Sequence, residues 1–242
     1  MITLRLSKCC VGATLLLSLA AQARDLIVLV DTGTEMPMAR FEQGQLVGGI
    51  HKDIGDALAA KTNRSARFLA LPRKRIANAL ETGGADILCS YVPEWLDGRF
   101  DWSKPFIPIA EVLIADRGAK RPASLADVAG QPVGTVLGYV HPELEEVLGK
   151  RLVREDAPTA EVNLRKLAAG RIKYALTSQT LLEYRLKLGD PPLSLHPPLM
   201  VKTYMGQCAV SRKGRVSLAE IDKSIESIIK DGTLTRIMRR YR

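Results

Sequence analysis

The residues best equipped for chemistry cluster in one stretch, SYVPEWLDGRFDWSKPF, from Ser90 to Phe106. It holds five of the chain's 12 aromatic side chains with three acids and two bases, directly after the apolar run ADILC. Aromatic and polar side chains just past a buried strand are the material of a ligand pocket, and Ser90, Tyr91 and Trp95 are the candidates for contact there. Nothing nearby reads as a Gly-rich phosphate loop, a nucleophile elbow or a metal-spaced His/Cys set. His51, His141 and His196 are too scattered for a zinc site or a catalytic triad and read as surface or turn histidines. No catalytic residue, metal ligand or cofactor is assigned. If acid catalysis were needed, Glu35 and Glu94 are the cleft-side candidates.

The elements that must position these residues alternate. DLIVLV (25–30) reads as a strand buried on both faces. HKDIGDALAAKT (51–62) has helical spacing, ARFLAL is a second strand, RKRIANALETG a helix closed by Gly83, and ADILCSY a third strand. The pattern restarts with the strand IAEVLIADRG, a short helix SLADVAG capped by Ser124, the strand PVGTVLG, helices in HPELEEVLGK and EVNLRKLAAG, and the strand IKYALTS. A strand YMGQCAVSR and helices SLAEIDKSIESIIKDG and TLTRIMRRY follow. Two βαβ modules predict an α/β chain of two lobes, each a mainly parallel sheet flanked by helices. Ligands of such sheets bind beyond the carboxyl ends of the parallel strands, where Ser90, Tyr91 and Trp95 fall.

MITLRLSK followed by CCVGATLLLSLA and AQA has the order of a secretory signal peptide, with cleavage expected after Ala23 and a periplasmic destination. Removing Arg5 and Lys8 leaves 33 basic against 26 acidic residues, a net charge of +7. That charge fits a solubilising surface, an anionic ligand or an anionic membrane surface equally. Nucleic acid is excluded as a partner, because the bases are dispersed with no basic-aromatic face. Of the four cysteines, Cys89 and Cys208 lie in the mature chain, in apolar strand-like runs. They can pair in an oxidising compartment or remain buried thiols, and the sequence does not choose.

The wording of the chain resembles the bacterial periplasmic solute-binding proteins of family 3, the amino-acid receptors of ABC importers. GQLVGGIHKDIGDALA is similar to the family's GKLVGFDVDLAKALA, ANALETGGADILCS to IPALQSGKYDVIIS, and RFDWSKPFIPIAEVLIADRG to KVDFSDPYYESGQVLVVRKG. AAGRIKYALTS and IIKDGTLTRIMRRY are similar to ANGRVDAVVVD and LKADGTLDKIYEKW. The resemblance implies two lobes joined by two crossing strands and closing on a ligand. It implies a first lobe over 24–110, a second over 111–202, and residues 203–242 returning to complete the first.

The two residues that grip an α-amino acid in that family are replaced. Its TPER loop arginine, which holds the carboxylate, falls on Trp95 or Leu96, and its strand-end aspartate, which takes the ammonium, falls on Ser178. Each such bond is worth roughly 1.5–3 kcal/mol, so the resemblance carries over the fold and a binding role but not amino-acid specificity. Arg73 and Arg75, at the start of the second helix, are either anion anchors or solvated bases, and a related PWxRAL pattern places its arginine on Arg75. Asp31 and Glu35, after the first strand, either select an amine or hydroxyl or serve a turn. GTVLGYVHP resembles a GVQAGTT turn whose backbone amides receive an anion, which adds Gly138 and Tyr139.

The expected function is a non-enzymatic, monomeric receptor that traps a small polar or anionic solute, not a standard α-amino acid, for an ABC permease or a membrane sensor. A dehydratase-like enzyme on the same fold and an orphan accessory protein with a degenerate pocket are the alternatives.

Overall fold

The computed structural model describes residues 25–241, so the expected signal peptide and its cleavage after Ala23 lie outside the described residues. The chain opens with β1 (Leu26–Asp31), buried along its whole length. A hairpin of β2 (Arg40–Glu42) and β3 (Gln45–Gly48) leads to α1 (Ile50–Lys61), β4 (Ala66–Leu71), α2 (Arg73–Thr82), β5 (Ile87–Tyr91) and β6 (Phe100–Trp102). Then come β7 (Ile107–Ala115), β8 (Pro132–Val136), α3 (Pro142–Leu148), β9 (Val153–Ala157) and α4 (Ala160–Ala168). The chain continues with β10 (Tyr174–Ser178), α5 (Gln179–Leu188), β11 (Leu199–Ser211), α6 (Leu218–Lys230) and α7 (Thr233–Arg240).

The strands lie in the order β4-β1-β5-β11-β7-β10-β8-β9, with β6 also beside β11. β1 is parallel to β4 and β5, and β8 is parallel to β9 and β10. Between these parallel groups run β7 and β11, antiparallel to their neighbours. β11 pairs with β7 over Leu199–Gly206, then with β5 and β6 over Gln207–Ser211. This is the two-lobed arrangement joined by crossing strands. The expected boundaries at 110/111 and 202/203 fall inside β7 and β11. Gly206 sits where the two strands press together, and a Cβ there would lie 2.7 Å from Ile109 Cδ1.

Packing explains the layers. In the first lobe Ile54 and Leu58 of α1 meet Ile221, Ile225 and Ile228 of α6 over one face of the sheet. Ile76 and Leu80 of α2 cover the other face with Leu29 and Leu88. Each such side chain contributes roughly 1.5–3 kcal/mol on burial. Two smaller clusters do the same in the second lobe, around Leu164 with Ala175 and around Leu144 with Val133. Cys89 of β5 and Cys208 of β11 are register partners deep in the first core and form a disulfide.

Five elements went unread in the sequence: β2 and β3 of the hairpin, β6, β9 and α5. The expected short helix at SLADVAG is a single 3₁₀ turn, Leu125–Val128, closed by a Ser124–Asp127 capping box.

Candidate functional site

Between the lobes lies a cavity of about 180 Å³, walled largely by apolar and aromatic side chains such as Met38, Ile109, Val136 and Leu181. Its first-lobe side is set by strand ends. β5 delivers Ser90 and Tyr91, the following 3₁₀ turn delivers Trp95, the loop after β1 delivers Glu35, and the first residue of α2 delivers Arg73.

Arg73 is the pivot. Its Cζ lies 4.6 Å from the Tyr91 ring centroid and 5.2 Å from that of Tyr139, and its guanidinium donates to the Trp95 carbonyl. Stacking between two tyrosines costs none of its five N–H donors, so only one is engaged by a protein acceptor in the described residues. The Trp95 ring meets Tyr204 edge-on at 4.8 Å and Tyr91 at 6.2 Å. Arg75 is exposed and outside the cavity wall. Two residues on, a helix has turned by about 200°, so the cavity takes Arg73 and solvent takes Arg75.

Asp31 is buried behind this wall. Its Oδ2 accepts from the Tyr91 hydroxyl at 3.1 Å and its Oδ1 from the Gly33 amide at 2.9 Å. It therefore serves the turn and fixes the tyrosine, and it does not reach the cavity surface. Desolvation pushes the Tyr91 and Tyr139 hydroxyls above the ordinary phenol range, which keeps both rings neutral beside Arg73. Glu35 spans the lobes: its carboxylate accepts from the backbone amide of Glu161 at the start of α4. Burial raises its pKa despite hydrogen bonds from Thr159 and that amide. Glu94 is exposed and away from the wall, which removes one of the two candidate acids.

On the second-lobe side, Tyr139 presents its ring, while its amide donates to Val136 O at 3.0 Å within the turn. Gly138 takes φ +81°, a left-handed turn conformation that favours glycine. Its Cα hydrogen side packs on the Arg73 stem, and it does not line the cavity. The expected anion cradle of backbone amides at Gly138 and Tyr139 is thus replaced by a tyrosine ring. Ser178 does line the cavity, but its Oγ accepts from the Leu181 amide at 3.2 Å as the N-cap of α5.

Sequence reasoning missed Glu111, Thr177, His51 and His141, all in the cavity wall. His141 Nδ1 lies 2.7 Å from Glu111 Oε1, with side-chain exposures of 7 % and 13 %. The visible signal was Glu111 itself, one carboxylate inside the apolar strand IPIAEVLIA. His51 is in a poorly hydrated part of the wall, and desolvation lowers its pKa to about 4, so it is neutral at physiological pH. His196 instead reaches the carbonyl of Ala119.

Three buried polar atoms facing this region have no protein hydrogen-bond partner: Ser90 Oγ, Thr177 Oγ1 and His141 Nε2. Such orphans are uncommon in folded interiors and mark where another molecule is expected to bond. Ser90 also holds φ +63°, a sparsely populated conformation for a residue other than glycine.

Residues 26–242 match the model for the bacterial extracellular solute-binding proteins of family 3. A similar protein is the probable amino-acid-binding protein YxeM of Bacillus subtilis, 24% identical over 215 residues that cover 87% of this chain and 81% of the relative. Among solved structures, a histidine kinase sensor domain with similarity to periplasmic binding proteins superposes with a TM-score of 0.75 at 21% identity, covering 91% of this chain and 96% of that one. An ancestral arginine-binding protein bound to arginine superposes with a TM-score of 0.74 at 21% identity, covering 90% and 97%. The chain belongs to the family 3 bacterial extracellular solute-binding proteins.

Proposed function

We propose that this family 3 solute-binding protein encloses one small organic solute that carries an anionic group, and delivers it to an ABC-type permease or a membrane sensor of the periplasm. The anionic group lies against Arg73, and the solute's apolar body lies among Tyr91, Trp95 and Tyr139. The observation that carries this reading is Arg73: a guanidinium within cation–π distance of two neutral tyrosine rings in a cavity wall, with most of its donors uncommitted. An arginine so preorganised matches a carboxylate in two parallel bonds. The cavity volume suits a solute of about single-ring size. A histidine kinase sensor domain among the structural relatives supports the sensor branch as much as the importer branch.

The solute is not a standard α-amino acid held by the usual fork. Leu96 is buried in the core, Trp95 offers a ring where a guanidinium would be required, and the Ser178 hydroxyl is occupied as a helix cap. Amino acids remain the second reading, because the names of the relatives refer to them. An enzymatic role has less support: Glu94 is exposed, and the Glu35 carboxylate is engaged by a backbone amide. A degenerate pocket is disfavoured by the three orphaned polar atoms that converge on it.

The test is mass spectrometry of the denatured extract of protein purified from the periplasm, with thermal shifts against amino acids, aromatic acids, dicarboxylates and polyamines. The expected result is a co-purifying organic anion, and stabilisation by acids that is lost with their amides. A standard α-amino acid binding at micromolar concentration would establish the second reading instead. Stabilisation by polyamines alone would remove Arg73 as an anchor.

A further inference from the structure

Within the cavity wall, the pair of Glu111 on β7 and His141 before α3 is unaccounted for by an anion seated on Arg73. The contact of 2.7 Å between Glu111 Oε1 and His141 Nδ1 has a direction. With Glu111 ionised, Nδ1 carries the proton and donates, so the neutral ring presents a bare lone pair at Nε2. That atom is buried and without a partner. The second oxygen of Glu111 likewise has no protein donor among the described residues. Two acceptors therefore stand on a wall that also carries the unpartnered hydroxyls of Ser90 and Thr177.

The groups around the pair preserve this character. The backbone amide of His141 donates to Glu145 Oε1 at 3.4 Å. Arg154 pairs with Asp156 at 2.9 Å and reaches Glu145 at 3.7 Å, and Asp156 also accepts from Thr135. Tyr204, on β11, donates to Glu143. From the first lobe, Arg73 and Glu35 face the same space. None of these supplies a donor to Nε2.

We infer that Glu111 and His141 form a second recognition point, in which His141 Nε2 accepts a hydrogen bond from a hydroxyl or amino group of the solute, oriented by Glu111. The solute is then a small acid bearing a donor group, and bare acids of the same shape are discriminated against. This rests on the reading that the cavity holds an acid at Arg73.

Three matched pairs serve as probes: lactate with propionate, mandelate with phenylacetate, and γ-aminobutyrate with butyrate. Each is titrated calorimetrically at pH 8 into wild type, His141→Phe and Glu111→Gln, with circular dichroism and melting curves confirming the fold. In at least one pair, the donor-bearing acid is expected to bind wild type at least tenfold tighter at pH 8. That preference is lost in His141→Phe, while the bare acid is little changed. Glu111→Gln, which retains an acceptor for Nδ1 but loses the charge, gives an intermediate preference. Acids that bind without discrimination, or with a preference that survives in His141→Phe, overturn the recognition point and leave the Arg73 reading standing. If no acid of any pair binds, both fall. If neither variant folds, wild type decides alone: equal affinities within every pair overturn the inference.

Discussion

Removing the guanidinium of Arg73 separates its two roles. Arg73→Met keeps an unbranched stem of similar reach, and Arg73→Lys keeps the charge without the planar fork. The guanidinium contributes to the free protein through its contacts with Tyr91 and Tyr139, each worth about 0.5–1 kcal/mol when partly exposed. Arg73→Met should therefore cost about 1–2 kcal/mol of stability, and Arg73→Lys less, because its ammonium keeps a cation for the two rings. Binding should lose more. A carboxylate held by charged hydrogen bonds gains roughly 1.5–3 kcal/mol per bond, so two imperfectly additive bonds make about 3 kcal/mol a fair expectation. At 1.4 kcal/mol per decade, the dissociation constant of an acid should rise about 100-fold in Arg73→Met. Arg73→Lys should fall between, near tenfold, because a point charge replaces a bidentate partner. Calorimetry with phenylacetate and its uncharged amide reads this directly: wild type should prefer the acid, and Arg73→Met should not discriminate. Urea unfolding of the same samples reads the structural share. Were Arg73→Met to bind the acid within threefold of wild type while unfolding earlier, the arginine would be a strut between tyrosines and not an anchor.

Glu35→Gln should raise the melting temperature near neutral pH. Its raised pKa means that the folded protein favours the protonated form, a contribution complete below the normal carboxylate range and lost as pH rises through the raised value. The neutral amide retains an acceptor for the Glu161 amide, so its advantage over wild type should vanish by pH 4, and a lower melting temperature at pH 7 would contradict the assignment. His51 has the opposite sense: its lowered pKa makes wild type lose stability as pH falls from about 6.5 through about 4. The loss reaches at most about 3 kcal/mol, and urea unfolding of His51→Gln should show a correspondingly flatter acid limb. Reduction of Cys89–Cys208, 119 residues apart, should destabilise by about 2–4 kcal/mol, with about 5 kcal/mol as the chain-entropy limit. An unchanged guanidinium midpoint after verified reduction would contradict it.

The fold was legible where hydrophobic periodicity was strong and covered several residues. β1, α1, α2 and β10 all follow apolar patterns that admit one reading. β9 was not legible because VREDA has one buried residue, Ala157, and its pairing comes from β8 and not from its own composition. The β2–β3 hairpin turns on Gln43 and Gly44, both at positive φ. Gln is a poor advertisement for a turn that Asn or Asp would announce.

The site was legible in part, and the misses have physical causes. Sequence similarity favoured Arg75, but helix phase decides which of two arginines two positions apart can face inward. The carboxylate sought at position 178 is absent, yet Ser178 is paired across the strands with Glu111. Such a pairing of distant positions arises only when β7 and β10 come together, and no linear motif records it. The His141–Glu111 contact likewise joins residues 30 apart through the sheet and the turn after β8.

The cavity residues make contacts across the cavity and leave other polar atoms unsatisfied. The Glu35 carboxylate accepts from the Glu161 amide, and Arg73 lies against Tyr139, so both contacts link the two sides. Ser90 Oγ, Thr177 Oγ1 and His141 Nε2 are buried there without protein partners, at about 1–3 kcal/mol for each unsatisfied group. A solute that satisfies the three orphans removes the penalty without disturbing the contacts. A solute that fills the same volume with apolar surface gains contact area but leaves the penalty in place. Selectivity therefore depends on these three atoms: the favoured molecule is one whose polar groups fall where the protein has left them unpaired.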